Sequence, residues 1–158
     1  MPHRIQVTVK KDLRDSFGDS LRKRVEEDLG IHADSIRVVD AYTLDGPLSE
    51  RETEMLERKL FTDPIVQEVS YKPLEGYDWF LEVGFKPGVK DNVGDVASST
   101  IYDMFGKLCN VYTSKQYMIK CNIPRIYVER IASELIANEV IELHKIKSAD
   151  EMVADDGF

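Results

Sequence analysis

A chain of 158 residues with 42% hydrophobic and 32% charged side chains has the composition of an ordinary globular protein, which excludes disorder and fibre. Its 21 Lys and Arg against 29 Asp and Glu leave a net charge of -8, the wrong sign for a duplex-binding surface, and no run approaches the ~20 apolar residues of a bilayer span. Nucleic acid and membrane are not expected as partners. With no apolar signal core behind Met1-Pro2-His3, the expected location is the cytoplasm.

Taken in chain order, Ile5, Val7 and Val9 alternate with polar residues, the period-two mark of a half-buried strand. A helix follows, with Phe17, Leu21, Val25 and Leu29 as a stripe expected to face a sheet, Asp15 as N-cap and Gly30 as the left-handed terminator. A middle strand is predicted over 35–44. Ser49-Glu50-Arg51-Glu52 reads as a capping box opening a helix through Phe61 with Met55, Leu56 and Leu60 inward. Asp63-Pro64 ends that helix, and a closing strand is predicted over 65–71. Residues 72–77 form a turn-rich join.

The same order then recurs. A shift of 76 places superimposes Val7, Lys10, Asp15, Gly18, Asp19 and Gly30 on Val83, Lys86, Asp91, Gly94, Asp95 and Gly106, six identities over 24 positions where roughly one or two are expected by chance. Leu81, Val83 and Phe85 repeat the strand pattern, and Val93, Ala97, Ile101 and Phe105 the helical stripe, widened by Val96 and Met104. At a shift of 75, Tyr42 meets Tyr117, Glu54 meets Glu129 and Leu60 meets Leu135. A strand over 110–121, a helix opened by Pro124 that buries Val128, Ile131, Ala132 and Leu135, and a strand over 140–146 complete the second set. The units are 1–73 and 77–147. Residues 148–158 carry four acids and no base, and are expected to be a mobile acidic tail or linker.

Sequence-readable catalytic designs are missing: there is no Walker loop, dinucleotide fingerprint, nucleophile elbow, His-Glu-x-x-His helix or EF-hand loop. His3, His32 and His144 stand alone and read as surface or edge imidazoles, and Cys109 and Cys121 as free thiols. Asp15 with Asp19, and Asp91 with Asp95, read as caps plus a solvated face rather than as acid-base pairs. Gly18 and Gly94 read as sites of close packing. Tyr77, Trp79 and Phe80 are expected to pack on a sheet face or form an aromatic patch.

The run Phe85-Lys-Pro-Gly-Val-Lys-Asp-Asn-Val-Gly-Asp-Val-Ala97 resembles the opening of PurS, the small subunit of phosphoribosylformylglycinamidine synthase. Ala132–Asn138 followed by Glu139-Val-Ile-Glu-Leu-His144 is similar to that family's ending. In the first half Lys11-Asp-Leu stands where the family has Pro-Gly-Val, so only Lys10, Asp15, Gly18 and Asp19 carry the motif there. The resemblance implies an α+β fold of two β-α-β-α-β units packed as a pseudo-two-fold pair, with antiparallel sheets and helices on one face. It also implies a non-catalytic role in purine biosynthesis, bridging a synthetase (PurL-like) and a glutaminase (PurQ-like) and helping to shield ammonia passing between them. Lys86, Pro87, Gly88, Asp91 and Gly94, with Lys10, Asp15 and Gly18, are then candidates for an assembly surface. No cofactor or metal is expected, and the chain is a candidate homo-oligomer. A tandem amino-acid sensor of the ACT type is the alternative, and an enzyme with a site between the halves a third.

Overall fold

The computed structural model describes residues 2–70 and 75–154. The elements run β1 (His3–Val9), α1 (Ser16–Leu29), β2 (Ser35–Asp45), α2 (Glu50–Leu56), β3 (Gln67–Ser70), β4 (Trp79–Phe85), α3 (Asn92–Phe105), β5 (Asn110–Lys120), α4 (Arg125–Ile131), β6 (Glu142–Ser148) and α5 (Ala149–Ala154). The fold is α+β. All six strands form one antiparallel sheet in the order β3-β1-β2-β5-β4-β6. Its centre is the pairing of β2 with β5, which runs without a break from Ser35 opposite Lys120 to Asp45 opposite Asn110. The sequence left open whether the two stretches meet face to face or edge to edge; they meet edge to edge, which closes two strand edges that would otherwise be open to other chains.

Alternation along the strands sends one set of side chains toward the helices, and these form two cores. Leu21 and Val25 of α1 and Val128 and Ile131 of α4 share a cluster with Ile36, Leu81, Val83, Tyr117 and Ile119. Ala97 and Ile101 of α3 and Leu56 of α2 share the other with Ile5, Val7, Leu44 and Val111. Each core therefore mixes residues from both ends of the chain. Lys107, just past α3, adds a 2.6 Å bond to Glu52 Oε1 of α2, whose capping box with Ser49 is intact. The opposite sheet face carries a small cluster of Val39, Phe80 and Met118 with Tyr77 and Ala149 against it. Phe80 thus packs as expected of a sheet-face aromatic, and Trp79 donates its indole N–H to the Ile123 carbonyl at 3.1 Å.

The helical stripes differ from those read in the sequence. Phe17 and Val93 are 57% and 61% exposed, and Val96 and Met104 also face outward. The inward positions of the first turns are Gly18 and Gly94, one place later, because each helix start lies directly on a strand backbone and only a residue without Cβ fits there. The closing strands begin two residues late, at Gln67 and Glu142. The Asp63 carboxylate accepts from Ile65 N and the Asn138 amide oxygen from Val140 N, which spends residues 65–66 and 140–141 on turns. The predicted strand residue Tyr71, and residues 72–74 of the join, lie outside the described residues.

Two further differences concern helix ends. The helix expected through Phe61 is α-helical only to Leu56 and finishes as a wider π turn over Glu57–Phe61, matched after α4 by Ala132–Ile136. The 148–158 stretch, expected to be a mobile linker, carries α5 from 149 to 154, tied back by Ala149 N to the Asp78 carbonyl and by Arg125 to Glu151. Among the described residues no helix is long and apolar enough to cross a membrane.

Candidate functional site

Two helix starts organise the helix-bearing face of the sheet. At α1, Asp15 Oδ1 accepts from Gly18 N at 3.0 Å and Oδ2 accepts from Val38 N of β2 at 2.8 Å. At α3, Asp91 Oδ1 accepts from Gly94 N at 2.9 Å, and Oδ2 accepts from both Thr113 N (2.7 Å) and Thr113 Oγ1 (2.8 Å) of β5. One carboxylate oxygen caps the helix and the other pins it to a strand, so each Asp does more than the cap read from sequence. The glycines make this approach possible: a Cβ would lie 2.0 Å from the Ile36 carbonyl oxygen at Gly18 and 2.2 Å from the Val111 carbonyl oxygen at Gly94.

Ahead of α3, Lys86-Pro87-Gly88-Val89 is a tight turn closed by Val89 N donating to the Lys86 carbonyl at 3.1 Å. Pro87 supplies the fixed φ of the first corner and Gly88 the φ of 85° at the second, a conformation that L side chains resist. Lys86 N is held by the Ile141 carbonyl (2.8 Å), as Lys10 N is held by that of Val66 (3.0 Å). Lys86, Pro87, Gly88, Asp91 and Gly94 therefore sit together at the entrance to α3, whereas Lys10, Asp15 and Gly18 gather separately at the entrance to α1. The two groups flank the central strands.

Beside the α3 entrance lies a cleft of about 590 Å³, floored by Asp40, Tyr42, Lys115 and Tyr117 and walled by Phe85 and Val93. An apolar extension of about 350 Å³ shares Tyr42 and Val93 and reaches Leu60, Phe61 and Val96. Asp40 and Lys115 face each other at the midpoint of the β2–β5 ladder, 4.0 Å apart, and the Lys115 ammonium lies 4.9 Å from the centroid of the Phe17 ring. Burial pushes the Asp40 carboxyl above its ordinary value, with Lys115 opposing. Burial, followed by the Asp40 charge, pushes Tyr42 up to about 12; burial, Glu142 and Asp40 do the same to Tyr117. Both phenols stay neutral near pH 7 and remain hydrogen-bond donors.

Sequence reasoning missed Asp40, Lys115, Tyr42 and Tyr117 as a group. Their one signal was the coincidence of the two tyrosines at a shift of 75; a single charged residue in an alternating strand reads as solvent-facing. The isolated residues behave as follows. His32 lies 3.5 Å from Glu26 and His3 3.7 Å from Glu57, both at exposed positions, and His144 is half-buried in β6. Cys109 and Cys121 are free and buried, and burial pushes both thiols up, away from nucleophilic use. Among the described residues no three His, Cys, Asp or Glu side chains are grouped to hold a metal. No protein-family model matches the chain, and no curated protein matches it either.

Proposed function

We propose that the chain is a tandem PurS-like scaffold: two β-α-β-α-β units joined about a pseudo-two-fold axis at the Asp40–Lys115 pair, acting as a non-catalytic subunit or domain of phosphoribosylformylglycinamidine synthase. The observation that carries the duplication is the recurrence of irregular hydrogen bonds, not only of elements. Leu13 N to Lys10 O recurs as Val89 N to Lys86 O, Gln67 N to Asp63 O as Glu142 N to Asn138 O, and Asp63 N to Gln67 Oε1 as Asn138 N to Glu142 Oε1. Regular helices and strands repeat in unrelated proteins; turns bonded through the same atoms at offsets of 75 and 76 residues are far harder to obtain twice.

The scaffold role rests on the motif resemblance and on what the motif builds. The Lys86–Val89 turn projects Pro87 and Gly88 outward beside the apolar tip Val140 (81% exposed), and Ile65 (78% exposed) forms the counterpart tip near Lys10. Two such knobs on one rigid sheet suit a body that grips two partners or two sites of one. Co-purification with the synthetase and glutaminase of the same organism tests the reading. Both should be retained by the wild-type chain and released by Pro87→Glu with Val140→Asp. Retention of neither, with thermal stabilisation by a free amino acid, would favour the sensor alternative, and amidine formation from glutamine by the chain alone would favour an enzyme.

A further inference from the structure

We infer that the cleft over the Asp40–Lys115 pair is a binding site for a small molecule carrying a primary ammonium on an apolar ring or branched-chain body. Its volume of about 590 Å³ suits such a ligand, since ligand sites span ~300–1,000 Å³. Of the acids lining it, Asp91 is already committed to Gly94 and Thr113, and Glu142 Oε1 to Asn138 N. Asp40 is the one held by an ion pair and by no such hydrogen bond. It is half-buried, and its ion pair with Lys115 is 4.0 Å long, beyond hydrogen-bond distance, while the same ammonium also lies 4.9 Å from the Phe17 ring centroid. An ammonium entering the cleft would give Asp40 a short, charge-assisted partner, with the Tyr42 and Tyr117 phenols at hand as neutral hydrogen-bonding groups.

The cleft also carries Asn92, Thr113 and Ser114, and its apolar surface lies on one wall and in the extension. Val93 and Phe85 form the wall, and Leu60, Phe61 and Val96 line the extension, which has room for a phenyl or isobutyl group. Val93 is the residue that leaves this space. At the corresponding place in the first turn of α1 stands Phe17, with the Lys115 ammonium 4.9 Å from its ring centroid. A free amino acid and a plain amine both present the required ammonium; Lys90 on the wall and Lys115 on the floor are the cations that would meet the carboxylate of the former. The cleft geometry is independent of the scaffold role, so calorimetry and co-purification fail independently.

Titration calorimetry on the full chain with L-phenylalanine, 2-phenylethylamine and 3-phenylpropionate tests it. Saturable one-to-one binding of either ammonium probe is expected, with phenylalanine the tighter if these lysines hold a carboxylate, and 3-phenylpropionate weaker by at least about tenfold. Val93→Phe, at an exposed position, should fill the cavity without unfolding the protein, and Asp40→Asn should remove the anion; each should weaken binding by at least about tenfold while the thermal midpoint stays at or above that of the wild type. No saturable heat from either amine up to about 10 mM, equal binding of 3-phenylpropionate, or unchanged affinity in Val93→Phe would overturn the assignment.

Discussion

The entrances to α1 and α3 use one device in two settings. In both, an aspartate caps the helix and grips a neighbouring strand while a glycine three residues on lets the helix touch that strand's backbone. The surroundings differ. Asp91 meets the hydroxyl of Thr113 where Asp15 meets only the amide of Val38, and Val93 lines the cleft where the corresponding residue of α1, Phe17, lies against the Lys115 ammonium. Neither entrance has room for a Cβ at its glycine, whereas the side chains around the two differ, so the shared device seats both helices and the differences lie toward the cleft.

The largest expected effect tests the shared part. Gly18→Ala and Gly94→Ala each force a Cβ into a carbonyl oxygen, and each should destabilise by about 3 kcal/mol in denaturant unfolding. If one is silent, the two entrances are not equivalent. Asp15→Ala and Asp91→Ala should each cost about 2 kcal/mol, the latter more because Thr113 loses a partner for its hydroxyl as well as its amide. Thr113→Val should lower the penalty of Asp91→Ala toward that of Asp15→Ala, measured as a double-mutant cycle.

A further contrast lies on the opposite sheet face. Gln116 is 1% exposed with neither amide atom bonded, and the residue 75 places earlier is the buried Ala41. Gln116→Met should therefore stabilise by about 1–2 kcal/mol, and a loss of stability would mean that the amide has a partner. Gly88→Ala, where φ is 85° and no atom obstructs a Cβ, should cost about 1 kcal/mol from backbone strain alone.

The smallest effect depends on pH. The native Asp40 carboxyl titrates above its ordinary 3.8, so folding favours its protonated form. Its contribution is most favourable below 3.8 and is lost as pH rises through the native value. Asp40→Asn should accordingly be more stable than wild type at pH 7, and the gain should vanish below the ordinary aspartate range, as read from unfolding midpoints across pH.

The order of strands and helices was legible because apolar periodicity and capping residues are local signals: Asp15, Ser49, Asp91, Gly30 and Gly106 all stand where the sequence put them. What was not legible depends on contacts distant in sequence. The close packing expected at Gly18 and Gly94 is found, but a hydrophobic stripe cannot count a residue without a side chain as inward, so periodicity points to Phe17 and Val93, which are exposed. The side chains of Asp63 and Asn138 shortened the closing strands by bonding their own turns. Asp40 and Lys115 become neighbours only when β2 pairs with β5, a partnership that nothing in either strand specifies.

The mixing of early and late residues in each core has a consequence for synthesis. While the ribosome has delivered only the first 76 residues, Leu21 and Val25 have no α4 to lie beside, and the inner edge of β2 has no β5. Apolar surface and an open strand edge persist until β5 and α4 have emerged, so the nascent chain is exposed to wrong pairings until both are delivered.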